Sequence, residues 1–192
     1  MKKSLLWFFA VIIAIVLGYY LFSTKSYPVA SVGTSFISAQ KLETSYQAGL
    51  SYYQKEASLA LSEEEVAKSE FQQELRRATL DKLIEHKLIQ QLLYGLLGSE
   101  EAEARVEARI GEVLETRTAQ TDEAVQRVFG LDWQDFETLI VRPEAERELL
   151  AQHLEGEGIE FISWFDEQLR SAEIEVLISG FEWRVNEVEI VQ

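Results

Sequence analysis

Between Arg76 and Gly98 the chain reads RRATLDKLIEHKLIQQLLYGLLG. Leu80, Leu83, Ile84 and Leu88 recur three or four residues apart, the spacing that lines one side of an α-helix, while Arg77, Asp81, Glu85 and His86 take the other. Past Leu88 the stripe dissolves. Ile89, Leu92, Leu93, Tyr94, Leu96 and Leu97 point in nearly every direction, which only a helix end surrounded by other elements tolerates.

The same reasoning orders the rest of the body. Val29 to Ile37 reads as two short extended pieces around Gly33. Ser38 is the expected N-cap of a helix reaching about Ala60, with Leu42, Tyr46, Leu50 and Tyr53 at near-helical spacing. Ser62 and Glu65 form an S-x-x-E capping box, and the helix it opens runs on to Gly98. Ser99 to about Thr118 follows, with Val106, Ile110, Val113 and Leu114 on one face. Thr121 is expected to cap a short helix ended by Gly130, and Asp132 another through Trp133, Phe136, Leu139 and Ile140, kinked or split at Pro143. Gly156 and Gly158 interrupt the chain before a last helix, Phe161 to Ser171. The tail then alternates: AEIEVLI and GFEWRVNEVEI read as two strands turning near Ser179-Gly180. Because a lone hairpin is marginal in water, Ile174 to Ile178 is expected to pair with the Val29 to Ile37 region.

Ahead of this body lies a different pattern. Leu5 to Phe22 carries no charge over 18 residues, about 27 Å as a helix, enough to cross a bilayer core. Trp7 and the Tyr19-Tyr20 pair stand where aromatic rings prefer the interfaces. Lys2 and Lys3 also suit a signal peptide, but the apolar run is long for one and no A-x-A site follows it. The expectation is therefore an uncleaved anchor at 5–22, a cytoplasmic N-terminus at 1–4, a polar stem at 23–28 and an extracytoplasmic domain at 29–192. The fold class is mainly α: a transmembrane helix, then a bundle of five or six helices with a small sheet from the N- and C-terminal strands.

Charge narrows the chemistry. Lys plus Arg number 18 against 33 Asp plus Glu, net −15, which repels a phosphate backbone and excludes nucleic acid as a partner. With no cysteine, disulfides, thiolate nucleophiles and cysteine-based metal sites are excluded. His86 and His153 lack H-x-x-x-H spacing and read as ordinary solvated residues. Glu63-Glu64-Glu65 and Glu100-Glu101 lack the calcium-loop pattern and read as charged helix starts. Dispersed glycines make no phosphate loop, so neither an enzyme nor a cofactor is expected.

The order of these segments resembles the SurA/PrsA family of extracytoplasmic chaperones. VASVGTSFIS is similar to the family's extended start. Leu80, Leu83, Ile84, Leu88, Ile89 and Gly98 match its L-x-x-L-I-x-x-x-L-I/L helix pattern, with Leu93 or Tyr94 in place of a small residue. Gly130, Trp133, Phe136, Val141 and Pro143 resemble a later family helix, and WFDEQLRSAEIEVLI resembles the closing helix and strand. Many members insert a parvulin prolyl isomerase domain before that closing helix, where this chain has only Glu155 to Glu160. The resemblance implies a chaperone module without the isomerase. Its partners would be unfolded or partly folded exported polypeptides, or alternatively one fixed membrane protein complex in which the chain is a structural subunit. Tyr46, Tyr53, Phe71, Trp133, Phe136, Trp164 and Phe165 are the candidate peptide-binding residues: half or more of such aromatics belong to the core, and those left exposed would line a concave surface. A carboxylate rim would make that surface favour basic clients.

Overall fold

The computed structural model describes residues 24–55, 62–184 and 186–191. The expected anchor at 5–22 lies outside them; among the described residues no helix is long and apolar enough to cross a membrane.

Strands β1 (Pro28–Val32) and β2 (Ser35–Ser38) are the two extended pieces, turned at Gly33 with φ 53°, a left-handed geometry that glycine adopts without steric cost. β1 is the central strand of an antiparallel sheet ordered β2-β1-β3, where β3 is Ile174–Val176. Ala30 stands opposite Ile37 on one side and Val176 on the other, so the two ends of the body pair as the alternation predicts.

Helix α1 (Ala39–Lys55) is capped by Ser38, whose Oγ accepts from the Lys41 N–H at 3.2 Å. Ser62 and Glu65 make the reciprocal cap, but the helix they open, α2 (Glu63–Val66), lasts a single turn. Lys68 is extended, and α3 (Ser69–Leu97) begins afresh. In an unbroken helix Val66 and Phe71 would lie about 140° apart. The break resets that phase, so that α2 packs on α1 and Phe71 still meets Tyr53. Gly98 alone separates α3 from α4 (Ser99–Glu115).

Helix α5 (Ala119–Phe129) is capped one turn earlier than Thr121. Thr118 Oγ1 accepts the Thr121 N–H at 3.2 Å and Thr121 Oγ1 accepts the Thr118 N–H, so Thr121 is the answering partner rather than the cap. Asp132 caps α6 (Trp133–Phe136) as expected. The split near Pro143 takes the form of a π-helical turn, Glu137–Val141, before α7 (Arg142–Gly156); proline donates no N–H, so it sits in the first turn of the new helix, where none is needed. Glu160 caps α8 (Phe161–Ser171) through the N–H groups of Ile162 and Ser163. The last expected strand is itself a hairpin, β4 (Phe181–Arg184) with β5 (Glu187–Ile190), turning at Asn186 with φ 74°, a region asparagine tolerates better than most residues.

The architecture is mainly helical with small antiparallel strands at both ends. Six helices of 11 residues or more are present among the described residues. Most of them share one core, in which Ala30, Leu80, Ile84, Leu93, Val106 and Leu150 are fully buried. A second, smaller cluster of Ala48, Val125 and Leu131, with Phe129, Phe136 and Ile140 around it, packs α5, α6 and the π turn onto α1. Ser51 fastens the two regions by donating to the Val128 carbonyl at 3.0 Å.

The supposed polar face of α3 is partly covered. Val188 of β5 enters the main core, and α3 takes both its backbone groups: Asp81 Oδ1 accepts its N–H at 3.1 Å and Arg77 Nη1 donates to its carbonyl at 2.9 Å. Burial raises the pKa of Asp81 even against that hydrogen bond. Asp81→Ala strands the Val188 N–H and is expected to cost about 1–3 kcal/mol in urea unfolding. Hydrogen exchange at Val188 should quicken more than at Ala30; equal protection at both sites would show that the clamp holds nothing.

Candidate functional site

A groove of about 380 Å³ opens along the seam between the two clusters, within the size range of ligand pockets. α1 contributes Ser45, Ala48, Gly49 and Tyr52. Three of these four are small, which holds α1 close to α3 and leaves the space above them open; a Cβ on Gly49 would touch Leu75 at 3.4 Å. α3 supplies Leu75, Ala78, Thr79, Lys82, Leu83 and His86. The far wall is Phe129, Leu131, Leu139 and Ile140, from α5, the link that follows it and the π turn. Leu83 belongs to the main core and Leu131 to the smaller one, so the groove lies where the two meet.

The expected carboxylate rim is not what lines it. In a chain with 33 acidic residues, none of the lining side chains is a carboxylate, and the charged or chargeable ones besides Tyr52 are Lys82 and His86. The acidic residues sit instead on exposed helix faces, above all along α4.

The structure sorts the seven aromatic candidates. Tyr53 and Phe71 meet edge to face with centroids 5.3 Å apart, and Trp133 and Phe136 meet at 5.5 Å. Two rings outside the candidate set join these pairs: Tyr52 stacks on Phe129 at 5.8 Å, contacts Tyr53 on one side, and Phe129 contacts Phe136 on the other. The result is a run of six rings along the margin of the groove, where Tyr52 is 41% exposed. Arg117 lies over the Trp133 ring, 4.6 Å from its centroid. Tyr46 and Phe165 are buried, 6% and 8% exposed, and Trp164 packs against the main core away from the groove. The groove itself is lined mainly by small and aliphatic residues. Its one legible sequence signal is the Ser45, Ala48, Gly49 and Tyr52 face of α1, small residues at helical spacing.

A family model described as SurA-like N-terminal domain matches residues 1–97, ending with the last residue of α3. The motif likeness at Gly130 to Pro143 and at Trp164 to Ile178 lies outside that match, and no parvulin domain is matched within the chain. Neither the curated proteins nor the solved structures contain a match. Among the described residues no three side chains converge as metal ligands.

His86 corrects its reading as a solvated residue. Its ring forms part of the groove wall, and its Nδ1 is shut off from solvent with no hydrogen-bond partner. Burial pushes its pKa down to about 4, helped by Lys82 on its own helix, Lys41 of α1 and Arg147 of α7. His153 is half-buried, with Nε2 3.7 Å from Glu157. Because the folded-state pKa of His86 lies below its unfolded value of 6.5, the unfolded chain takes the proton first on acidification. The His86 contribution is therefore complete above pH 6.5 and is lost as pH falls toward 4, by on the order of 3 kcal/mol. Asp81 and Glu146, whose pKa values burial raises, act in the opposite sense. The measurement is accordingly the difference between wild type and His86→Leu in chemical unfolding from pH 7 to pH 4. The variant should gain on wild type across that window, and parallel profiles would show that the ring titrates as if exposed.

Proposed function

We propose, from the premise that this chain belongs to the SurA-like N-terminal domain family, that it is a non-catalytic holding chaperone or assembly factor for exported polypeptides. The observation that supports this best is the groove. It is wide enough for a few side chains, walled by carbon, bordered by six linked rings, and without the converging polar groups that bond chemistry requires. Unfolded chains expose apolar side chains, and a groove of this kind takes them one or two at a time, weakly and with little regard to sequence. Tyr53, Phe71, Trp133 and Phe136 would widen the contact beyond the groove, while Tyr46, Trp164 and Phe165 belong to the packing of the body rather than to the binding surface.

In this proposal residues 5–22 anchor the chain in the membrane with residues 1–4 in the cytoplasm and the body outside it. Tethering raises the local concentration of the groove near emerging chains, so weak individual contacts suffice. If the chain is instead a structural subunit, the same groove is filled by one partner, and cross-linking in cells yields a single product rather than many.

Full-length protein at near-stoichiometric amounts should slow aggregation of a chemically denatured client, followed by light scattering. Ala78 is an exposed position on the groove wall, so Ala78→Trp fills the space without entering the core. That variant should keep its melting temperature and lose most of the holding effect. Equal protection by wild type and variant would remove the groove from the account.

A further inference from the structure

Lys82 borders two depressions rather than one. On its other side, between α3, α7 and α8, lies a hollow of about 230 Å³ whose apolar wall includes Ile89, Phe161, Ile162 and Leu169. Ile162 is 66% exposed there, a large apolar side chain with little covering it. Arg147 lines the same hollow with its guanidinium over Phe161, 5.4 Å from the ring centroid. The carboxylates present are Glu85, whose Oε2 is 2.8 Å from Lys82 Nζ, and Asp166. Lys82 thus lines both depressions, one walled by carbon and one of mixed lining, with its side chain 60% exposed and its ammonium group able to donate to an acidic partner besides Glu85. The larger depression offers no carboxylate of its own to repel one. Lys41 and Arg147 approach from α1 and α7 and add to the positive field on this side of α3.

We infer that the two depressions together select a polypeptide segment in which a carboxylate side chain stands between two large apolar side chains, the carboxylate meeting Lys82. The apolar groups enter the hollows on either side, and the Lys82 cation reads the charge between them. This rests on the polypeptide-holding reading above and reverses the preference for basic clients that overall charge alone implies. A net charge of −15 acts at long range and is screened beyond roughly 10 Å at ordinary ionic strength, whereas a client seated on Lys82 feels the local sign.

The test is fluorescence anisotropy of full-length protein with dye-labelled peptides identical except for a central Asp, Asn or Lys between flanking Leu and Phe. The Asp peptide should bind roughly three- to fivefold more tightly than the Asn peptide, with the Lys peptide weakest. The advantage should shrink as salt is raised. Lys82→Glu should invert the order, whereas Arg184→Glu, the same charge change on β4 and outside the lining of either depression, should preserve it. Peptides that bind equally well regardless of the central residue would overturn this inference and leave the holding function standing. An order that survives Lys82→Glu would move the recognition elsewhere and overturn it as well. Failure of every peptide to bind would overturn both readings.

Discussion

A helix of 29 residues is about 43 Å long, more than any one neighbour in a body this small can cover. α3 resolves this by burying different stretches against different partners: its middle and end against the strands, α4 and α7, its side against Val188 of the hairpin, and its first half against α1. These neighbours are positioned by their contacts with one long helix. Between α1 and the wall formed by Phe129, Leu131, Leu139 and Ile140 the helix is left uncovered, and Leu75, Ala78, Thr79 and Lys82 face the gap. The groove is the geometric remainder of that packing, which explains why it is walled by the edges of two cores.

Electrostatics follow the same division. The acidic residues lie on the outer faces of helices, several of them answered by arginines that bridge elements: Arg109 of α4 holds Glu148 of α7 through two bonds of 2.9 and 3.0 Å, and Arg142 of α7 reaches Glu103 and Glu107 of α4. Exposed pairs of this kind contribute little each, at most about 1 kcal/mol, but they fix the spacing of α4 and α7. Among the described residues the one buried carboxylate, Glu146, is held by Gln90 at 3.0 Å, and burial keeps its proton affinity high. The seam between the clusters is lined by carbon, one lysine and a histidine that burial keeps neutral at pH 7.

Much of this was legible from spacing. The stripe of Leu80, Leu83, Ile84 and Leu88, the caps at Ser38 and Asp132, the role of Gly33 and the pairing of the two ends all follow from local rules. Apart from the α5 cap, which is Thr118 rather than Thr121, the misses share one cause: a local signal answered by a distant contact. The Ser62–Glu65 box is real, yet the helix beyond it breaks because two turns must both reach α1. Val-Asn in the last run did not announce a hairpin, since what secures β5 is Val188 in a core assembled by residues more than 100 positions earlier. The aromatic residues attracted notice because they are large, but the cavity is made by small ones, and smallness on a helix becomes space only once the opposite helix is known. His86 looked polar for the same reason: its neighbours in sequence are charged, and the side chains that enclose it come from elsewhere.

The connection between α7 and α8 stands apart from all this. Residues 155–160 are exposed throughout, an added Cβ at Gly156 or Gly158 meets nothing, and α8 draws its cap from Glu160 rather than from anything upstream. The start of α8 is therefore indifferent to what precedes it. Extra chain spliced there would pay only loop closure, about 0.6 kcal/mol for each doubling of its length. The scaffold has, in effect, an open docking port for a guest module, and a lineage could gain or shed one at that point without renegotiating a single buried contact.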